Sequence, residues 1–409
     1  MMRASFLFKS ILTSNLCISM FFFGQAQTQS NLKQHIQFLA SDKLHGRMTG
    51  SKDEMIAARY IIDQFRALQV SNMAGNTRAT GYLQSFEYHP KSDSTQISVK
   101  GKNVVAYIDN KAEQTIILGA HYDHLGWGLP THSVYRGEPA IHNGADDNAS
   151  GVATLIELAR FLKASSFKNN NYLLIAFSGE ELGLYGSKWF VEHVKYDSTN
   201  SNYMLNFDMV GRVDSNKVVV GGVGTSSFWA EAMRKVASPL HIKTTESGIG
   251  PSDHTSFYLK NIPVLHFFSG QHKDYHKPSD DEEKINYQGM EDIIDYVKQL
   301  VSLLDNKGKI AFVKTKDDSN ENTPKFTVTL GVMPDYTFEG EGMRIDGVTD
   351  GKPASKAGLI QGDVVIQLGE IKVTDMMGYM TALSKLKKGD VSTIKVKRAG
   401  EVLEKEIKF

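Results

Sequence analysis

Short, continuous runs of apolar residues, most of them closely followed by polar side chains, constrain the fold of this chain more than any other feature. They predict buried strands over residues 115–120, 172–177, 203–207, 217–220 and 262–267. Apolar residues at helical spacing predict helices over residues 55–68, 150–162, 228–237 and 287–304. Apolar strands that alternate with helices predict an α/β fold, a three-layer sandwich with a mainly parallel central sheet. In such folds, ligands bind beyond the carboxyl ends of the strands.

The length and the charge balance limit the number of domains and the kind of partner. A chain of 409 residues suits two or three domains. We expect a larger unit over residues 27–305, a polar linker over residues 306–325 and a small, β-rich unit over residues 326–409. Lys and Arg number 46, as do Asp and Glu, so the net charge is 0. This balance does not favour a nucleic acid or an anionic membrane as partner.

The N-terminal residues predict a secretory signal peptide over residues 1–26. Arg3 and Lys9 precede an apolar run over residues 11–23, and small residues follow as far as Ala26. We expect cleavage after Ala26 and export to the periplasm or the medium, with an uncleaved anchor as the alternative. After cleavage, no integral membrane span is expected, because the run is short for a bilayer. Cleavage also removes Cys17, the one cysteine, so metal ligands must come from His, Asp and Glu.

Side chains that can bind metal follow four of the predicted strands and precede one predicted helix. They are His121, Glu181, Asp208 and His276 after strands, and Asp147 before the helix. Two neutral imidazoles and three carboxylates carry a charge of −3, so one divalent ion leaves −1 and two leave +1, which a bridging hydroxide neutralises. Two ions about 3.5 Å apart need one shared carboxylate and two further ligands each. Five residues suit this arrangement.

Two acidic neighbours of these ligands suit supporting roles. Asp123 comes two residues after His121 on an extended segment and therefore points to the same side. There it can accept a hydrogen bond from the second nitrogen of the imidazole. Glu180 adjoins Glu181, and because adjacent side chains diverge, one carboxylate is available for metal and the other for proton transfer. His124 is expected to lie in the loop or behind the ligands rather than to bind metal.

Six motifs, HYDH, GADDNASG, FSGEELGLYGS, NFDMVGR, PSDHTSF and YH, occur in this order within residues 121–276. Their order and spacing resemble those of the M28 family of co-catalytic zinc aminopeptidases, over roughly residues 30–305. The resemblance implies two Zn²⁺ per chain, with Asp147 as the bridging ligand. It implies His121 and Asp208 as the other ligands of one zinc, and Glu181 and His276 as those of the second.

The same resemblance implies a hydrolytic mechanism at the N-terminus of a peptide or protein substrate. Glu180 matches the general base, and Tyr275 matches a tyrosine that hydrogen-bonds the oxyanion in some members. Asp253 belongs to a Ser-Asp-His element near the substrate pocket, behind the ligands. The free α-amine of the substrate would bind near the second metal and limit cleavage to N-terminal residues.

The sequence DGKPASKAGLIQGDVVIQLG, residues 350–369, resembles a PDZ domain of the type found in bacterial proteases. The resemblance implies a short helix from Pro353, a strand from Gly362, a second helix over 375–387 and a closing strand over 393–398. PDZ domains bind extended peptides, with a terminal carboxylate held by backbone N–H groups. Glu339 and Glu341 in the matching loop would repel that carboxylate. Peptide binding and a role confined to covering the catalytic cleft therefore both stay open.

Two other functions remain as alternatives. One is a glutaminyl-cyclase-like enzyme with a similar scaffold and a single zinc, and the other is a PDZ-based binding protein with a relic enzyme domain. The full set of ligands and the presence of Glu180 favour the peptidase over both. The chain has no Walker A, H-E-x-x-H or G-x-S-x-G motif, so a serine hydrolase is unsupported.

Overall fold

The computed structural model describes residues 27–409 except 74–78, 89–97, 129–132, 136, 195–199, 316–327, 335–337, 339, 349–350 and 375. The predicted signal peptide and Glu339 lie outside the described residues. The helices are α1 (27–39), α2 (Lys52–Ala67), α3 (Gly151–Ala164), α4 (Tyr185–His193), α5 (Ser227–Met233), α6 (His254–Tyr258), α7 (Tyr287–Leu304), α8 (Pro353–Lys356) and α9 (Met376–Ser384). The strands of the larger unit are β1 (Ser71–Asn72), β2 (Ala79–Thr80), β3 (Leu83–Tyr88), β4 (Val99–Ile108), β5 (Gln114–His121), β6 (Asn170–Phe177), β7 (Ser201–Phe207), β8 (Lys217–Gly221), β9 (His241–Thr244) and β10 (Val264–Phe268).

The strands of the larger unit form one sheet in the order β2-β3-β4-β6-β5-β7-β10-β8-β9, with β1 paired to β4. The middle of the sheet, β6-β5-β7-β10, is parallel. Antiparallel pairs flank it on both sides, β3-β4 and β4-β6 on one and β10-β8 on the other. The carboxyl ends of the four middle strands consequently meet at one edge of the sheet.

Helices cover both faces of this sheet, because successive residues of its central strands point to opposite sides. On one face, Ile116 of β5 belongs to a core that includes Leu155 of α3. On the other face, Ile117 packs in a second core with Phe190 of α4 and Phe257 of α6. Each fully buried side chain of this size contributes about 1.5–3 kcal/mol relative to an exposed one. The predicted three-layer α/β fold with a mainly parallel sheet is confirmed.

The smaller unit is an antiparallel sheet with its own core. Its strands are β11 (Val332–Pro334), β12 (Met343–Val348), β13 (Val364–Leu368), β14 (Ile371–Lys372), β15 (Val391–Arg398) and β16 (Glu401–Lys408). They run in the order β11-β12-β13-β15-β16, and β14 pairs with β13. Val365, Leu383 and Ile394 are buried in its core. The β-rich second unit is therefore also confirmed.

Some elements differ from the sequence-based expectation. Strands β3 and β4 were not predicted, because polar residues and a glycine interrupt their apolar pattern. Helix α5 ends at Met233, four residues earlier than predicted. Residues 310–315, predicted as linker, partly pack against the larger unit, where the Thr315 N–H donates to the Tyr258 hydroxyl at 2.9 Å. Among the described residues, no helix is both long enough and apolar enough to cross a bilayer.

Candidate metal centre

The five predicted ligands lie together at the carboxyl edge of the sheet, although more than 150 residues separate the first from the last. His121 is the last residue of β5, and Glu181 lies in the turn after β6. Asp208 directly follows β7, and His276 lies in the loop after β10. Asp147 lies in the turn Ala145–Ser150, which leads into α3. The turns that follow parallel strands thus bring these side chains to one place.

One group of ligand atoms comprises His121, Asp147 and Asp208, and the three atoms lie within 4.8 Å of one another. The His121 Nε2 atom is 3.2 Å from the Asp147 Oδ1 atom and 3.3 Å from the Asp208 Oδ1 atom. His121 and Asp147 are buried. Few groups outside this cluster are therefore close enough to compensate the charges of these side chains.

A second group surrounds the other oxygen of Asp147. The His276 Nε2 atom is 3.2 Å from the Asp147 Oδ2 atom and 3.1 Å from the Glu181 Oε2 atom. His124 also approaches this group, with its Nδ1 atom 2.6 Å from the Glu181 Oε1 atom. His124, Asp147 and Glu181 can likewise offer atoms within 4.8 Å of one another. Asp147 therefore presents one carboxylate oxygen to each group.

The distances within the two groups fit metal coordination. Nitrogen and oxygen ligands about 2.0–2.2 Å from a tetrahedral zinc lie about 3.3–3.6 Å from each other. The four separations from His121 and His276 to their carboxylate partners, 3.1–3.3 Å, are close to this spacing. The donor set of imidazoles and carboxylates also suits zinc.

The charges in the cluster are strongly coupled. Burial alone would lower the pKa of His121, but the carboxylates of Asp208 and Glu180 outweigh it and hold that pKa well above its usual value. Burial would raise the pKa of Asp147, but hydrogen bonds with His121 and His276 keep it well below its usual value. The carboxylates around His121 and His276 thus favour positive charge at this place.

Glu180 and Tyr275 lie beside the two groups rather than within them. The Glu180 Oε2 atom is 4.0 Å from His121 Nε2, and burial raises the pKa of Glu180 well above its usual value. The ring of Tyr275 stacks on that of His276, with the centroids 3.8 Å apart. Burial, together with the charges of Asp147 and nearby glutamates, raises the pKa of the Tyr275 phenol well above its usual value. The phenol therefore keeps its proton and can donate it in a hydrogen bond.

Asp123 lies behind His121, but its contacts differ from those expected. The His121 Nδ1 atom is 3.2 Å from the main-chain oxygen of Asp123 and 3.7 Å from its carboxylate. The carboxylate instead accepts hydrogen bonds from the Thr49 hydroxyl at 2.7 Å and from the Glu180 N–H at 3.2 Å. Asp123 thus links the strand end that carries His121 to the turn that carries Glu180.

Asp253 is buried at the start of α6. Burial raises the pKa of its carboxyl group to about 7. Its charge acts on Glu180 across the site, where it adds to the rise in the pKa of that glutamate. Asp253 is therefore part of the electrostatic surroundings of the site and is not in either group of ligand atoms.

Two charged residues that the sequence analysis did not identify support the Asp147 turn. Asp280 accepts hydrogen bonds from the N–H groups of Asp146 and Asp147, each at 3.0 Å through its Oδ2 atom. Arg47 is fully buried, and its guanidinium donates to four main-chain oxygens, those of Leu39, Tyr122, Asn143 and Gly144. Burial lowers the pKa of Arg47 to about 10, so it stays charged at neutral pH.

Comparison with known proteins agrees with the fold and with the class of protein that the sequence resembles. Residues 103–301 match peptidase family M28, and residues 310–409 match the PDZ domain. Leucine aminopeptidase 1 of Pyrenophora teres f. teres is 24% identical over 291 residues, which are 67% of this chain and 69% of that protein. Aminopeptidase YwaD of Bacillus subtilis is 31% identical over 171 residues, 39% of this chain and 37% of that protein.

Two solved structures share the fold of the larger unit. The aminopeptidase from Aneurinibacillus sp. strain AM-1 has a TM-score of 0.52 and 18% identity, over 70% of this chain and 95% of that one. The glutaminyl cyclase of Porphyromonas gingivalis has a TM-score of 0.54 and 16% identity, over 67% of this chain and 97% of that one. The fold alone therefore does not separate these two activities.

The family match and the named relatives define the class of protein. Residues 103–301 form an M28 peptidase domain, followed by a PDZ domain. The match to the M28 peptidase domain and the aminopeptidase relatives support a zinc-dependent aminopeptidase.

Proposed function

We propose that the chain removes N-terminal residues from peptides with two zinc ions and Glu180 as the general base. The observation that carries the proposal is the division of Asp147 between the two groups of ligand atoms. Its Oδ1 atom faces His121 and its Oδ2 atom faces His276. A carboxylate in this position would bridge two metal ions, with two further ligands for each. His121 and Asp208 would complete one zinc site, and Glu181 and His276 the other.

The residues around the ions have distinct roles in the proposed reaction. The zinc pair would lower the pKa of water towards neutrality and polarise the scissile carbonyl group. Glu180 accepts the proton of the attacking water and passes it to the leaving amine. Tyr275, which keeps its phenolic proton, donates a hydrogen bond to the oxygen that becomes negative. Asp123 holds the Glu180 turn in position through the Glu180 N–H.

Substitution of the base tests this assignment. In Glu180→Gln, hydrolysis of leucine or alanine anilides should fall by at least about 10²-fold, as expected for a lost general base. The zinc content should stay at two per chain, since Glu180 lies outside both groups of ligand atoms. Unchanged turnover would show that Glu180 is not the base, and inactive wild-type protein that still binds peptides would favour a PDZ-based binding protein.

The same assay distinguishes the cyclase alternative, which the shared fold with the Porphyromonas gingivalis enzyme keeps open. An aminopeptidase with two zinc ions releases the amino acid from an anilide and leaves an N-terminal glutamine uncyclised. A chain that binds one zinc, cyclises N-terminal glutamine and leaves anilides intact would overturn the proposal.

We also propose export, which the basic and apolar pattern of residues 1–26 supports. Expression of the full chain in a bacterial host should give a mature protein that begins at Gln27 in the exported fraction. A protein that keeps Met1 and stays with the cells would contradict this.

The PDZ domain is proposed to bind extended peptide segments. Glu341, one of the two glutamates expected to repel a terminal carboxylate, forms an ion pair with Lys372 at 2.6 Å. The pair offsets part of the negative charge of the loop. Peptides with free and amidated C-termini, titrated against the full chain, test this role. Failure to bind either peptide would favour a domain that only covers the cleft.

A further inference from the structure

We propose that His124 is a positioning residue for Glu181 and thereby sets the affinity of one of the two metal sites. This inference rests on the proposed two-zinc centre. His124 is buried three residues after His121, in the loop that follows β5. The family resemblance assigned it no role, yet its side chain contacts both residues proposed to hold the second zinc together with Asp147.

The distances favour a hydrogen bond over direct coordination. The His124 Nδ1 atom is 2.6 Å from the Glu181 Oε1 atom, which suits a hydrogen bond to a carboxylate and is shorter than the spacing of about 3.3 Å between ligands of one zinc. His124 uses Oε1, whereas the Oε2 atom of Glu181 faces His276 at 3.1 Å. The Nδ1 atom is also 3.9 Å from the Asp147 Oδ2 atom. Glu181 therefore keeps one oxygen for His124 and the other for metal.

The surroundings of the ring determine which nitrogen carries the proton. The Nε2 atom of His124 is buried and has no hydrogen-bond partner among the residues that the structure describes. A buried N–H group without a partner costs more than an unpaired lone pair, so the proton belongs on Nδ1. In this tautomer Nδ1 donates to Glu181. A histidine that donates to a ligating carboxylate fixes the orientation of that carboxylate.

The ring has little freedom to leave this position. A Cβ atom at Gly144 would lie 2.5 Å from the Cδ2 atom of His124, so the ring occupies space that only a glycine leaves open. Gly144 has a φ of +58°, which also favours glycine. The edge of the His124 ring meets the His276 ring at 72°, with the centroids 5.9 Å apart. The main-chain N–H of His124 donates to the Arg47 carbonyl at 3.3 Å.

This arrangement predicts an effect on one metal site. His124 contacts Glu181 and His276, whereas His121 and Asp208 form the other group. Loss of the hydrogen bond should lower the affinity for the zinc of Glu181 and His276 by about 10- to 100-fold. This is the usual effect of removing a group that hydrogen-bonds a metal ligand. The zinc held by His121 and Asp208 should keep its affinity, because its two unshared ligands are untouched.

A matched pair of variants isolates the hydrogen bond. Asn and Leu have the same branching and nearly the same size, but the Asn amide can place a donor where Nδ1 lies. We therefore expect His124→Leu to bind the zinc of Glu181 and His276 about 10- to 100-fold less tightly, and His124→Asn to bind both ions nearly as tightly as wild type. Zinc affinities are measured by competition with a chelator of known affinity. If H124L does not fold, His124→Gln, whose donor reaches further than Nδ1, should show the same loss.

Cobalt absorption spectra separate positioning from coordination. In the cobalt-loaded protein, H124N should keep the wild-type spectrum, because no coordinating atom is replaced. A changed H124N spectrum, with a loss of affinity as large as that of H124L, would show that His124 is itself a ligand and would overturn the inference. Wild-type affinity at both sites in H124L would overturn it as well. A wild-type chain that binds only one zinc would refute the proposed centre instead.

Discussion

Glu54 gives the most direct test of the electrostatics behind the metal centre. Its side chain is 1% exposed, near the start of α2. Its Oε2 atom accepts the Gly50 N–H at 2.7 Å, and its Oε1 atom contacts the Ser178 hydroxyl, two residues before Glu180. Burial raises the pKa of Glu54 from 4.5 to about 8. At pH 7 the folded protein therefore holds a proton that the unfolded chain has released.

The sign of the pH effect follows from this difference. Between pH 4.5 and about 8, the folded state binds more protons than the unfolded state, so the free energy of unfolding falls as the pH rises. A shift of one pKa unit corresponds to about 1.4 kcal/mol, so the full difference is on the order of 5 kcal/mol. This contribution to stability is complete below pH 4.5 and is lost by about pH 8.

The variant Glu54→Gln is neutral at every pH and keeps an oxygen for the Gly50 N–H. Relative to wild type, its free energy of unfolding should therefore rise by about 1 kcal/mol per pH unit between pH 5.5 and 7.5. Urea unfolding of both proteins at each pH, with equal zinc, gives this difference directly, because the pH dependence of zinc binding is common to both. Glu54→Ala is the control, since it leaves Gly50 and Ser178 unpaired and should be less stable than E54Q at every pH. A difference between E54Q and wild type that does not change with pH would refute the reasoning.

Two further substitutions test the packing around the site. Arg47→Met would remove the guanidinium that donates to four buried main-chain oxygens, of which the Gly144 carbonyl would keep the Ala149 N–H at 3.2 Å. The free energy of unfolding should fall by at least about 3 kcal/mol, and a melting temperature within two degrees of wild type would contradict this. Gly151→Ala would place a Cβ atom 2.3 Å from both the Asn148 Oδ1 atom and the Phe207 carbonyl. Alanine stabilises a helix by about 1 kcal/mol relative to glycine, but this contact should outweigh that gain. We therefore expect the free energy of unfolding, measured in urea, to fall by about 1–3 kcal/mol. A variant more stable than wild type would show that the turn moves easily to make room for the Cβ atom.

The sequence predicted the groups at the centre of the site because of a general property of parallel sheets. When the strands are identified, the residues that follow them must meet at one edge. His121, Asp208 and His276 were placed together by this reasoning, and the structure brings them to the same edge. Their roles as metal ligands remain predictions.

The groups that hold the site in position could not be predicted in the same way. Arg47 lies outside the strands, and its four acceptors are main-chain oxygens, which any residue type supplies. Asp280 binds the N–H groups of a turn more than 130 residues away. Such contacts depend on how loops close over the edge of the sheet, and neither the residue type nor its spacing reveals this. For Asp123 the spacing predicted the side on which the carboxylate lies, but not that Thr49 and the Glu180 N–H would be its hydrogen-bond donors.

The two oxygens of Asp147 make that residue different from the other four proposed ligands. In the proposed two-zinc centre, a change at Asp208 or Glu181 would affect one ion and could leave the other bound. A change at Asp147 would remove a proposed ligand from both ions, so it would not give a protein with one ion bound. Any derivative intended to work with a single metal, whether through natural divergence or by engineering, must therefore begin from an unshared ligand.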